Sequence, residues 1–163
     1  MRFMKVAAGI LSVVAILLIA LIASFFAGGT LSVDARVAAV PAKDASGAFE
    51  AVADVLTAGI APQVFSAEAL GDASDYVLID INFDFRNRGL FAAEWLTAEL
   101  APAPGDVAVY SKGTEAIDVP ARGGNSLNLK VIARAGGDLE GRELKIEYYV
   151  LGMRRTAKVA CSE

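Results

Sequence analysis

Tyr76-Val-Leu-Ile-Asp-Ile-Asn-Phe-Asp-Phe-Arg86 alternates with period two: Val77, Ile79, Ile81, Phe83 and Phe85 share one face, and Asp80, Asn82, Asp84 and Arg86 the other. Successive side chains of an extended chain point to opposite sides, so this pattern predicts a strand half buried in an antiparallel sheet. Asn87-Arg88-Gly89 then turns the chain. The expected partner, Leu90 to Leu100, has no single register. Phe91, Ala93 and Trp95 suit one face, whereas Leu96, Ala98 and Leu100 suit the opposite one. One extra residue in a β-bulge near Trp95 reconciles them.

Toward the C-terminus, Ala101-Pro-Ala-Pro-Gly105 is a loop by composition. Shorter strands are expected at Val107–Tyr110, Ala116–Val119 and Leu127–Ala133, punctuated by Gly113, Gly123-Gly124 and Gly136-Gly137. Leu144, Ile146, Tyr148 and Val150 alternate with Glu143, Lys145, Glu147 and Tyr149, and Leu151-Gly152 leads into a last strand at Met153–Cys161. Toward the N-terminus, Leu31–Val40 alternates as a first strand ended by Pro41. Between these, the period changes. Phe49, Val52, Val55 and Leu56 recur at three and four, with Glu50 and Asp54 opposite, so residues 47–58 predict a short amphipathic helix. Ser46 is its expected N-cap, and Gly59 followed by Pro62 its stop. The expected fold is all-β: an antiparallel β-sandwich, immunoglobulin-like or related, of seven or eight strands with one short helix, filling residues 29–163.

Ahead of that domain, Val6 to Phe26 is an apolar run of 21 residues, and 13 of them are Val, Ile, Leu or Phe. A helix of that length rises about 31 Å, the thickness of a bilayer's hydrocarbon core, and those side chains favour insertion by about 4–8 kcal/mol. Arg2 and Lys5 precede the run, and the next charge is Asp34. Because basic residues stay on the cytoplasmic side, residues 1–28 are expected to be a single-pass signal-anchor with the C-terminal domain extracytoplasmic. A cleaved signal peptide is the competing reading, with Val33-Asp34-Ala35 as its site. Ala20, Ser24 and Gly28 form a small-xxx-small row that would let two such helices self-associate.

The chain has 15 Lys+Arg and 19 Asp+Glu; without Arg2 and Lys5 the balance is 13 against 19, or −6. An acidic surface repels phosphate backbones, so nucleic acid is not an expected partner. Histidine is absent, which removes the commonest general base, the usual partner of a Ser or Cys nucleophile, and the usual zinc ligand. Cys161 is the only cysteine, so no internal disulfide can form; it reads as a small apolar residue, with an intermolecular bridge as the alternative.

The motifs that suggest chemistry fall short. Asp80-Ile-Asn82-Phe-Asp84 opens like a calcium loop, but Phe85 stands at the glycine position and Phe91 at the bidentate glutamate position. Asp80 and Asp84 have the spacing of a glycosidase pair, as many exposed strands do. Gly123-Gly124-Asn125-Ser126 lacks the Lys-Ser/Thr of a phosphate loop. Trp95, Tyr148 and Tyr149 could form a carbohydrate platform, but Trp95 and Tyr148 are expected in the core. No catalytic, cofactor-binding or metal-binding residue is assigned, and no cofactor is expected.

An alternating strand ending in Asn87, a Val109-Tyr110 segment after a loop, Ile117-x-Val119-Pro120 and Leu127-x-Leu129-x-Val131 together resemble the late-embryogenesis-abundant group-two domain, also called the water-stress and hypersensitive-response domain. This chain has Asn87-Arg88-Gly89 where that family closes the strand with Asn-Pro. The resemblance implies an antiparallel sandwich with a binding or stress-protective role and no catalytic residues. The order of basic N-terminus, apolar helix and sandwich is also similar to archaeal pilins, with Lys5-Val-Ala-Ala-Gly9 at the leader boundary and Ile10 opening the assembly helix. The expected function is therefore a membrane-anchored, non-catalytic binding or envelope-supporting module. Its expected partners are the lipid bilayer, through Val6–Phe26, and an envelope protein or surface polymer. The alternative is a pilin-like filament subunit with a cleaved leader.

Overall fold

The computed structural model describes residues 2–26, 31–137 and 141–161, with side chains in the first helix described for 9–23. Helix α1 (Arg2–Phe26) precedes strand β1 (Leu31–Pro41), a 3-10 turn (Ala42–Ala45) and helix α2 (Ser46–Thr57). Eight further strands follow among the described residues: β2 (Gln63–Val64), β3 (Tyr76–Asn87), β4 (Ala93–Ala101), β5 (Asp106–Lys112), β6 (Ile117–Val119), β7 (Gly124–Arg134), β8 (Arg142–Val150) and β9 (Met153–Cys161). They form two antiparallel sheets, one ordered β1-β3-β7-β5-β2 and the other β6-β4-β8-β9. The expected sandwich with one short helix is present.

The period-two strand carries the core. Ile79, Ile81, Phe83 and Phe85 are buried against Leu96, Leu100, Leu144 and Ile146 of the facing sheet. Each such side chain contributes about 1.5–3 kcal/mol by leaving water. Tyr76 and Leu78 have the opposite parity and are buried as well, because α2 and the 3-10 turn cover the outer face of the first sheet at its far end. Val52 of α2 is packed there with Ile132, and the rings of Phe49 and Tyr76 lie 5.7 Å apart. Beyond that cover the outer face is polar.

Three details differ from expectation. Ser46 is the first helical residue rather than the cap; Ala45 holds the cap position without a side-chain bond, and the preceding 3-10 turn leads the chain into the helix. The two-residue strand β2 has no periodic signal because it is too short to have one. The bulge is where register demanded it, since β4 slips against β8 between Glu94 and Thr97 and against β6 between Ala93 and Leu96. Its consequence for Trp95 is the opposite of the core position expected. Glu94 and Trp95 both face outward, Trp95 is 71% exposed, and its φ is +52°.

Large apolar residues of α1 from Ile10 to Ile22 are 47–73% exposed. Among the described residues no helix is long and apolar enough to cross a membrane, and 9–23 is shorter than a span. The transmembrane reading of Val6–Phe26 therefore rests on the sequence run. The row Ala20, Ser24, Gly28 lies partly outside the described residues.

Candidate functional site

The Asp80-Asn82-Asp84 face is a set of cross-strand pairs. Asn128 on β7 donates to Asp80, Arg36 on β1 pairs with Asp84 at 3.1 Å, and Asn82 donates to Asp84 at 3.4 Å. These carboxylates are engaged with their neighbours and do not converge. Among the described residues no three Asp, Glu, Cys or His side chains cluster so as to hold a metal ion. Tyr110 lies near this face, and burial, then the charge of Asp80, raises its hydroxyl above the usual tyrosine range.

A more open feature lies beside β4. Strand β6 pairs with it only at Ala93 and Leu96, so among the described residues the rest of that edge has no strand neighbour. Side chains from the other sheet take its place. Gln63 of β2 donates to the Leu100 carbonyl at 3.3 Å and accepts the Leu100 N–H at 3.1 Å, as a strand residue would. Lys112 of β5 donates to the Ala98 carbonyl at 2.9 Å. Burial holds the Lys112 ammonium below the usual lysine range, against the pull of Glu115 and Glu99. The groove has a volume of about 330 Å³ and is lined by Gln63, Thr97, Glu99, Lys112, Lys145 and Glu147 among others. It offers charges of both signs, and the β4 backbone groups beside it are engaged by Gln63 and Lys112. Gln63 and Lys112 have no sequence motif to mark them; only the meeting of two sheets brings them to β4.

The aromatic trio divides. Tyr148 is 7% exposed and belongs to the core, whereas Trp95 and Tyr149 are exposed on the outer side of the second sheet, where Tyr149 pairs in register with Glu94. The Trp95 backbone N–H donates to the Asp118 carboxylate at 2.8 Å.

A buried ion pair in the core has no sequence motif to mark it. Arg142, which opens β8, binds Asp106, which opens β5, in a bidentate pair at 2.5 and 3.0 Å, with both side chains buried. Asp106 also accepts the Ala103 N–H at 2.9 Å. A signal existed: Arg142 has the same parity as Leu144, Ile146 and Tyr148, which places it inward. Cys161 pairs in register with Arg142 and is buried, and burial raises its thiol above the usual cysteine range.

No protein-family model matches the chain, and no curated protein does either. Among solved structures it is similar to the GAE domain of yeast GGA1 (8% identity over 57% of this chain and 96% of that one, TM-score 0.38). The GAE domain of GGA2p from Saccharomyces cerevisiae gives 14% identity over 56% and 90%, with TM-score 0.38. The structural-genomics target SoR45 gives 12% over 83% and 84%, with TM-score 0.40. Likenesses this loose carry no argument about what this chain does.

Proposed function

We propose that this chain is a membrane-tethered β-sandwich, held outside the cytoplasm by residues 1–28, that acts as a non-catalytic binding or envelope-supporting module. One observation carries the tether: apolar side chains of α1 between Ile10 and Ile22 are 47–73% exposed, so they need an apolar surrounding that the sandwich does not supply. The uncharged run from Val6 to Phe26 and the basic residues before it support a span with this orientation. The β4 groove supports a binding role, since it is lined by side chains of both charges without a histidine. Tethering concentrates the domain near membrane partners, so modest contacts suffice.

Cell fractionation tests the reading. The full-length chain is expected to resist alkaline carbonate, to dissolve in detergent, and to lose its C-terminal domain to externally added protease. Recovery in a detergent-free soluble extract would overturn the tether. A mature N-terminus at Ile10 together with sedimentable fibres would replace it with the filament reading.

A further inference from the structure

We infer that the end of the sandwich where β1 begins is a lipid-docking face, which seats on the anionic phosphate headgroups of the bilayer that holds α1. The proposal rests on the tether and goes beyond it, because a tether alone leaves the domain free to tumble.

Three connections meet at that end. β1 starts there, since Leu31 pairs with Asn87 at the end of β3 and Arg86 pairs with Gly124 at the start of β7. The second sheet is joined on: the Asn87 side chain donates to the carbonyls of Phe91 and Val119, at 2.8 and 3.2 Å, and the Arg122 backbone N–H donates to the Gly89 carbonyl at 3.2 Å. Val119 pairs with Ala93, and Glu94 with Tyr149, which brings the Leu151-Gly152 turn between β8 and β9 to the same end.

The charge there is predominantly basic. Segments 86–92, 120–124 and 150–155 contain Arg86, Arg88, Arg122, Arg154 and Arg155, and no Asp or Glu, in a chain that is acidic overall. The exposed acids nearest to them are Glu94, beside Trp95, and Asp34 on β1, two against five arginines. Asp118 takes the Trp95 backbone N–H, and Glu147 pairs with Arg154, whose side chain is still 60% exposed. At the opposite end, the described segments 41–57 and 65–75 carry Asp44, Glu50, Asp54, Glu68, Asp72 and Asp75 against Lys43 alone.

Large apolar side chains stand among these arginines. Trp95, Leu151, Leu90 and Met153 are 71, 60, 52 and 43% exposed. The three non-glycine residues with positive φ among the described residues, Trp95, Arg122 and Leu151, all lie at this end. Such backbone is costly for a bulky residue and is held only where the surroundings enforce it. Here it holds one indole, one guanidinium and one isobutyl group out in solvent. An exposed tryptophan beside arginines is the composition that a membrane–water interface accepts, with rings at headgroup depth and cations on phosphate.

Covalent reach agrees. Phe26 and Leu31 are five residue steps apart, so at most about 18 Å separates their Cα atoms. The headgroup layer is itself about 5–8 Å thick.

Trp95 is the only tryptophan, so its fluorescence reports the face directly. The full-length chain would be placed in nanodiscs of phosphatidylcholine, with or without an equal amount of phosphatidylglycerol, at one copy per disc. In the anionic discs Trp95 emission is expected to shift to the blue and to be quenched about twofold more by lipids brominated near the headgroup than in neutral discs. The excess should vanish in R88Q/R122Q, whose circular dichroism should match the parent, and in 1 M salt, where the screening length is about 3 Å. Equal, solvent-like emission in both lipids would overturn the docking face while leaving the tether intact. A blue shift that requires two copies per disc and ignores lipid charge would reassign the face to self-association. Loss of the chain from carbonate-washed discs would overturn the tether, and the docking face with it.

Discussion

Arg142 and Asp106 show how a single residue ties the two layers together. Each charge is buried, and each is satisfied by the other across the sandwich. Removing one partner strands the other in a dry interior, which costs far more than the pair contributes when intact. Arg142→Met is expected to lower unfolding stability by about 3–5 kcal/mol in urea titrations. Asp106→Asn in the same chain should return part of that loss, because the amide keeps the Ala103 contact without a charge. Cys161 beside them is held as a thiol. Its folded pKa lies above the unfolded value of about 8.5, so the folded state binds the proton more tightly. That stability is present below pH of about 8.5 and is lost as pH rises toward the folded value. The stability difference between the parent and Cys161→Ala should therefore narrow with rising pH, and a disulfide reagent should label Cys161 slowly unless urea is added.

Strand β4 shows what a register conflict does to an element. Its apolar residues could not all face one sheet in a regular strand, and the bulge settles the matter in favour of Leu96, Ala98 and Leu100, which are buried. Trp95 gives up its core place and takes a left-handed backbone. Relief of that backbone, at about 1–3 kcal/mol, outweighs the 0.5–1 kcal/mol entropy cost of glycine, so Trp95→Gly should stabilise the fold by about 1 kcal/mol in thermal unfolding. A glycine of the opposite kind stands where β7 opens. A Cβ on Gly124 would lie 2.9 Å from the Phe85 carbonyl oxygen on β3, and backbone cannot step aside cheaply. Gly124→Ala is expected to cost about 1–3 kcal/mol, read as a lower urea midpoint. The edges are guarded too. β9 carries Lys158 and Arg154 outward, paired with Glu143 and Glu147, which discourages strand addition along it.

The whole molecule is an apolar helix joined to a sandwich with its own core. Because the described large apolar side chains of α1, within residues 9–23, are exposed and the two buried clusters draw on residues 42–161, that stretch of the helix adds nothing to either core. Residues 29–163 expressed alone should unfold in one cooperative transition, with a midpoint within about 2 °C of that of the detergent-solubilised full chain. The sandwich is also electrically polarised along its strands, basic where β1 begins and acidic beneath α2, and that gradient has no trace in the net charge.

Period-two alternation in β3 and β8, the helical period of 47–58 and the glycine-marked turns made the layers, the helix and most strand limits legible, because each reflects a choice between core and water made within one element. Even the bulge could be read, as a parity conflict between Trp95 and Leu96. Which side lost that conflict could not, since it depended on how many apolar residues the facing sheet could bury. The same holds for Arg142 with Asp106, Gln63 with Leu100, and the arginines gathered from three separate segments. Each of these depends on residues 30 or more positions apart meeting in space, and such proximity exists only once both sheets have closed on one another.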